Sequence, residues 1–505
     1  MNGSKFAPSR NSHTVPLRDV PDLRLSEFRD EIIQGISLGK RLACLCADAE
    51  LRLFAVLADD AAGALWIGRT RLDQPHYPSL TPHCPQAHLF EREMAEQFGI
   101  VPERHPWFKP VRYHASWVAG QDAWNRTLLP EPGVTDFFRV EGEEVHEVAV
   151  GPVHAGVIEP GHFRFQCHGE TVFHLEIALG YQHRGIERAM LGGPHPLSLK
   201  FAETAAGDTT IGHGWAYCQI IEALAGISVP PRSQWVRGVA LELERCANHT
   251  GDLGALAGDT GFLPTASFCG RIRGDWLNLS AELCGSRLGR DLLRPGGLRV
   301  DLEPEVARML TARLARIWGD TQDAIELLWS AASVLNRFEA AGFVDPIQAR
   351  EVGLVGVAAR ACGLEQDIRK DHPFGPYSEH PVELALAQSG NVHSRAWVRW
   401  RELQASRAFL AEAFAGLTDS ASDPKPTKLP VLAPDSLCVS LTEGWRGEIL
   451  HLAVTDARGR FARYKIVDPS FHNWIGLALA LRGEQISDFP LSNKSFNLSY
   501  CGHDL

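Results

Sequence analysis

The stretch that most limits what this chain can fold into follows the proline pair Pro230–Pro231. Pro231 suits the first position of a helix, where its missing N–H is not needed. Beyond it Trp235, Val239, Leu243, Cys246 and Leu253 recur at helical spacing as one apolar stripe. Arg237, Glu242, Glu244 and Arg245 lie off that stripe. Charges set in apolar, aromatic-rich helices are usually paired, because an unpaired buried charge is costly. Arg184, Glu187, Arg237, Glu244 and Arg245 therefore read as an ion-pair network that holds helices in register.

The rest of the 505 residues leaves room for two or more domains. Residues 22–40 read as an amphipathic helix, and RLACLCAD, LRLFAVLADD and ALWIGRTRL as a β-meander. A helix is expected at 86–98. Residues 104–135 are rich in Pro, Trp and Gly, lack periodicity and end in LLPEPGVTD, a linker, before the acidic run VEGEEVHEV at 140–148. A boundary near 135–145 follows. Residues 151–187 suggest two or three strands closing into a helix. Further helices are expected at 214–228, 266–285, 303–341, 391–415 and 472–482, with strands at 437–440 and 448–454. No internal repeat is present.

Several classes are excluded. The net charge of −11 is opposite to the basic footprint of a nucleic-acid binder. No window approaches the ~20 apolar residues of a membrane span, and the start MNGSKFAPSRNSH does not read as a secretory signal. Eleven cysteines without a framework fit a reducing compartment, and Cys44 and Cys46 read as buried thiols. There is no G-x-S-x-G elbow, G-x-G-x-x-G fingerprint or Walker loop.

The chemistry-bearing segments are few. AGDTTIGHGWAYC at 206–218 is a Gly- and hydroxyl-rich loop that carries His213 into a helix. His146, His154, His162, His168, His174 and His183 crowd one region, but their spacing matches no metal-ligand pattern. His154 and His162 differ from the others in sitting in Gly/Pro turns, which can present an imidazole to a cavity. Glu91, Arg92, Glu93 and Glu96 share one helix and read as a solvated face.

Longer motifs resemble a known family. HLFEREMAEQFGIVPERHPWFKP is similar to the signature of the 30-kDa-type subunit of complex I. GPVHAGVIEPGHFRF, GYQHRGIER, VPPRSQWVRGVALELERCANHTGDLGALAGDTGF, RACGLEQDIRKDHPFGPY and YKIVDPSFHNW resemble the 49-kDa-type subunit. The two fused resemble the large subunit of group 4 membrane-bound nickel–iron hydrogenases, of the formate hydrogenlyase and hydrogenase-4 kind. The resemblance covers roughly 85–505. It implies an α+β fold: a 30-kDa-like α/β domain at 1–135, a linker at 136–150, and a mainly helical domain with small β elements at 151–505. It also implies an iron–sulfur small subunit and polytopic antiporter-like membrane subunits as partners, with this chain peripheral on the cytoplasmic face of the inner membrane.

The resemblance also marks a departure. Its four nickel-binding thiolates fall on Ala206, Thr209, Ser470 and Asn473, and none is cysteine. Soft thiolates hold such a centre, so no nickel–iron centre and no hydrogenase activity are expected. The complex I branch places a quinone headgroup in the vacated cavity. On that reading His162, His154 and Asp208 are the catalytic candidates, and Thr209, His213, Ser470 and His472 the binding ones. The 151–165, 206–213 and 468–473 segments should meet around one pocket. The family's quinone tyrosine has no counterpart in DTTIG. The alternative is a non-redox scaffold that couples mechanically to the membrane subunits.

Overall fold

The computed structural model describes residues 4–128, 130–154, 156, 158–417 and 431–505. It is α+β, with a sheet-rich N-terminal part and a mainly helical part after it. β1 (Ala7–Ser9), β2 (His13–Pro16), α1 (Leu25–Ser37), β3 (Arg41–Ala47), β4 (Arg52–Asp59) and β5 (Ala64–Arg71) open the chain. β3, β4 and β5 form the expected meander, with β1 on the β5 edge. β3 is buried at every position, Cys44 and Cys46 included, because α1 and α2 (His88–Phe98) both pack on this sheet. A continuous apolar run is what such a strand requires.

α2 corrects one expectation. Glu91, Arg92, Glu93 and Glu96 do not form a solvated face; all four are buried. Glu91 accepts hydrogen bonds from Tyr77 Oη at 2.8 Å, Ser79 Oγ at 2.6 Å, Thr81 Oγ1 at 2.6 Å and the backbone N–H of Leu80 at 2.7 Å. Glu96 accepts the N–H groups of Arg112 at 2.8 Å and Tyr113 at 2.6 Å. Carboxylates solvated by protein donors need no water, and these close two loops onto the helix. The pattern E-R-E-x-x-E is the same in either setting, so sequence alone does not separate them.

The aperiodic segment 104–135, with the linker LLPEPGVTD at its end, carries no helix or strand among the described residues; Leu129 lies outside them. β6 (Val145–Val150), β7 (His162–His168) and β8 (Thr171–Ala178) form an antiparallel sheet. The helices then follow: α3 (Thr210–Ala225), α4 (Pro231–Asp259), α5 (Leu263–Cys284), α6 (Pro304–Ser330) and α7 (Val392–Leu417). α4 packs along α5 and α7. The single helix expected at 303–341 is two, because Ala331 leaves helical geometry at φ −88°, ψ 94° before a second helix at Ala332–Glu339. The local sequence SAASV contains neither Pro nor Gly, so nothing there announces the break.

β9 (Ser436–Glu443), β10 (Glu448–Thr455) and β11 (Phe461–Val467) precede α8 (Pro469–Ala480). β2 from the N-terminus is the fourth strand of this sheet, with Val15 opposite Leu437. β11, which the sequence reading omitted, carries FARYKIV across β10. α3 covers the sheet. One apolar core extends from Phe6 to Leu505, and a second lies between β7, β8 and α8. Among the described residues no helix is long and apolar enough to cross a membrane.

The expected charge network is present in part. Arg237 pairs with Glu222 at 2.6 Å, and Arg245 with Glu242 at 3.0 Å and Glu402 at 3.2 Å. Glu187 pairs with Lys465 at 2.9 Å and Arg463 at 3.2 Å. Arg184 and Glu244 correct the expectation. Arg184 donates to the carbonyls of Thr204, Ala205 and Cys501, and Glu244 accepts backbone N–H groups.

Candidate functional site

The 206–213 loop ends at Thr209, whose side chain makes no cap bond to α3. The first helical turn still has orphan N–H groups. Glu244 of α4 supplies the acceptor from outside, taking Ile211 N–H at 2.8 Å and Gly212 N–H at 3.3 Å. Burial pushes the Glu244 carboxyl up to about 8 against these bonds, and nearby Asp208 adds to the rise. One residue on, His213 is wholly buried and directs Nε2 to Asp468 Oδ2 at 3.0 Å.

Asp468 holds the other turn. Its Oδ1 accepts Ser470 N–H at 2.8 Å and so caps α8, with Pro469 at the first helical position. Burial opposes its charge, but the His213 bond and Arg446 keep its pKa below the ordinary carboxylate range. With Asp468 ionised, His213 Nε2 must be the donor. Its Nδ1 lies 3.1 Å from His451 Nε2, and His451 Nδ1 lies 2.8 Å from Tyr464 Oη. Burial, then His213, holds His451 well below its ordinary pKa, which fits a ring with a single N–H. The result is one hydrogen-bonded chain, Tyr464–His451–His213–Asp468, linking β10 and β11 to both turns.

Arg446 closes the loop from above. Its guanidinium takes both oxygens of Asp208, at 2.6 and 2.9 Å, and stacks 3.8 Å over Trp445. Trp445 Nε1 and Asn248 Nδ2 both donate to the Asp208 carbonyl at 3.1 Å. A bidentate pair of this kind is geometrically specific.

The 206–213 and 468–473 segments therefore meet directly. The 151–165 segment, of which Ala155 and Val157 lie outside the described residues, reaches them through a different residue from the one expected. Glu159 accepts Cys501 N–H at 3.4 Å, and Cys501 Sγ accepts Gly207 N–H at 3.4 Å. His162 instead approaches the Gly151 carbonyl at 3.3 Å, receives Arg164 Nε at 3.2 Å and lies against Phe137. His154 donates to the Gly161 carbonyl at 3.0 Å and packs on Phe163. His472 faces away toward α2, with its ring 5.7 Å from that of Phe90. So Asp208, Thr209, His213 and Ser470 share one neighbourhood, and His154, His162 and His472 make their contacts elsewhere.

The four thiolate positions of the resemblance are occupied by other bonding. Ala206 is buried and has no donor atom. Thr209 Oγ1 lies 3.3 Å from Asp208 and 3.4 Å from Arg446. Ser470 Oγ accepts Ser499 N–H at 2.8 Å. The Asn473 amide brackets Val355, accepting its N–H at 3.0 Å and donating to its carbonyl at 3.1 Å. Among the described residues no three His, Cys, Asp or Glu side chains converge as metal ligands.

Sequence reasoning missed Asp468, Arg446, His451, Tyr464, Glu159 and Cys501. Only Asp468 carried a usable local signal: an acid before proline at a helix start. The rest arrive from strands and termini distant in sequence.

Comparison with known proteins places these motifs. Residues 40–122 match the model of the respiratory-chain NADH dehydrogenase 30 Kd subunit, and 259–431 that of the 49 Kd subunit. Formate hydrogenlyase subunit 5 of Escherichia coli is 29% identical over 89% of this chain and 81% of its own length. Hydrogenase-4 component G of the same organism is 29% identical over 89% of this chain and 80% of its own. An NADH-quinone oxidoreductase subunit of Dehalococcoides mccartyi is 30% identical over 67% of this chain and 92% of its own.

Proposed function

The chain belongs to the family of fused 30-kDa/49-kDa-type large subunits shared by complex I and group 4 membrane-bound hydrogenases, and from that premise we propose that it works without a nickel–iron centre. It is the peripheral large subunit of a membrane-associated, complex I-like oxidoreductase assembly on the cytoplasmic face of the inner membrane. It docks an iron–sulfur small subunit and polytopic antiporter-like subunits. Residues 1–135 form the 30-kDa-like unit and 151–505 the 49-kDa-like unit; of the linker expected at 136–150, Val145–Val150 is instead strand β6 on the sheet of the second unit, and the two matched models fall on either side of it. The observation that carries the reading is the donor set at the metal positions. Ala206 has no donor, and Asn473 spends its amide on Val355. These residues do not fit soft-metal coordination. Elemental analysis of the native complex tests it. Iron from partner clusters without stoichiometric nickel is expected, and nickel near one atom per chain overturns the reading.

Within that assembly two roles compete. The redox role puts a quinone-type acceptor beside the loop. A cleft bordered by Asp208, Glu244 and Asn248 favours it. With its pKa near 8, the Glu244 carboxyl is protonated at neutral pH and can donate to a carbonyl. Thr209, His213, Ser470 and His472, with His154 and His162, remain the candidates from sequence for the rest of such a site. The scaffold role is favoured by the closure of the loops on themselves through His213–Asp468 and Arg446–Asp208. Quinone-reductase assays of the complex separate them. Loss of rate in Glu244→Gln and Asp208→Asn with assembly intact supports the redox role, and unchanged rate supports the scaffold.

A further inference from the structure

A second cleft lies where α2, the 107–113 segment, β8 and α8 come together. It borders α8 through Trp474, Ile475 and Ala478, not through Ser470 and Asn473. Its walls are largely apolar, with Leu89, Val111 and Leu179 beside Trp474.

One cation in this wall forms no ion pair among the described residues, although the Lys109–Glu176 pair also borders the cleft. Arg92 is buried, and among the described residues its hydrogen bonds go only to carbonyls, Nε to Lys109 at 2.7 Å and Nη2 to Pro110 at 2.8 Å. Its guanidinium lies 4.5 Å over the Trp107 ring. Nη1 makes no bond to the described protein. The neighbouring charge is already settled: Glu176 holds Lys109 at 2.5 Å and also accepts Trp107 Nε1 at 3.3 Å and Phe138 N–H at 2.7 Å. Burial lowers the Arg92 pKa; Tyr113, Glu96 and Glu176 act against it, but no carboxylate among the described residues forms an ion pair with Arg92.

Two further donors of the lining are without a hydrogen-bond partner among the described residues. Trp474 Nε1 is buried with no hydrogen-bond partner among the described residues. Burial, then Arg92, holds His88 well below its ordinary pKa, so its neutral ring keeps one N–H. A buried charge is normally paired, and a lone one is costly. An apolar cleft with one free guanidinium is complementary to one kind of ligand.

We propose that this cleft binds a small organic monoanion, a carboxylate on a compact apolar body, with Arg92 as its charge partner. The planar guanidinium fork matches a carboxylate. The apolar walls match the body. A dianion would bring in more charge than one guanidinium balances.

Fluorine NMR titration of the full chain with fluorobenzoate and trifluorobutyrate tests this, with fluorobenzyl alcohol as the uncharged counterpart. Arg92→Gln removes the charge and keeps an amide donor for the 109–110 carbonyls. Ala478→Leu fills the cleft and leaves Arg92 in place. The acids are expected to bind the wild type and to bind both variants about tenfold more weakly or worse, while the alcohol binds wild type and Arg92→Gln alike. Failure of both acids to bind the wild type overturns the proposal. So does equal binding of acid by Arg92→Gln, or alcohol binding as tight as that of the acid. Near-ultraviolet circular dichroism reports folding. If Arg92→Gln unfolds, Ala478→Leu decides, and unchanged acid affinity in that variant overturns the proposal.

Discussion

Lys465 Nζ lies 2.8 Å from Glu93 Oε1, with both side chains fully buried. Lys465 belongs to β11 and Glu93 to α2, so this contact joins the C-terminal sheet to the N-terminal part. Glu187 takes the same ammonium at 2.9 Å, and Arg112 also pairs with Glu93.

Lys465→Met is therefore expected to destabilise the chain by about 3–5 kcal/mol, the usual result of leaving a buried charge without its partner. Both Glu93 and Glu187 lose a counter-charge, and neither can reach water. Thermal unfolding of wild type and variant measures the loss. A shift within error of zero would mean that the arginines alone neutralise both carboxylates.

Glu244 sets a pH dependence. Its pKa rises from an ordinary 4.5 to about 8 in the fold. Between those values the folded chain holds a proton that the unfolded chain has released. Stability from this group is thus complete below the unfolded value and is lost as pH rises toward 8. A decline of the order of a few kcal/mol is expected across that window. Glu244→Gln keeps an acceptor for Ile211 N–H and has no proton to lose, so its unfolding free energy should fall less than the wild type's over the same range.

His472 acts in the opposite direction. Burial, followed by Arg41 and Lys465, lowers its pKa from 6.5 to about 3. Below 6.5 the unfolded chain takes up a proton that the folded chain refuses, so stability present at neutral pH is lost as pH falls through that window. Nε2 of His472 has no hydrogen-bond partner among the described residues, so His472→Leu forfeits no such bond at that atom. Relative to wild type, this variant should gain in midpoint temperature at pH 5 compared with pH 8. An identical difference at both values would show that His472 is not the group responsible.

The fold was legible where one element carried its own pattern. The stripe from Trp235 to Leu253 gave α4 to its first residue, and the meander of β3, β4 and β5 followed from its turns. What escaped was set by distant partners. β2 joins β9 across the whole chain, and Ala331 leaves the helical conformation in a sequence with no breaker. The site divides the same way. Asp208, Thr209, His213 and Ser470 lie in two short motifs, and the structure brings those motifs together. Arg446 and Glu244, which fix the loop, come from a strand turn and from the middle of a helix, and neither has a local signature.

Returning cysteine to the four family positions is expected to have unequal costs, because the native side chains are unequally engaged. Asn473 uses both ends of its amide on Val355. A thiol cannot replace both, and each buried backbone group left unpaired costs about 1–3 kcal/mol. Asn473→Cys should therefore lose about 2–5 kcal/mol. Ser470→Cys weakens a single bond from Ser499 N–H and should lose less. Ala206→Cys adds a sulfur at a fully buried position, an overpacking cost of about 1–3 kcal/mol. Thr209→Cys gives up two long contacts, of 3.3 and 3.4 Å, and should be nearly neutral. Urea unfolding of the four single variants gives the order directly. A stable Asn473→Cys would mean that the turn does not depend on Val355, and that the position remains free to carry a ligand. The expected order means that the 468–473 turn is held by bonds that a thiolate would have to break.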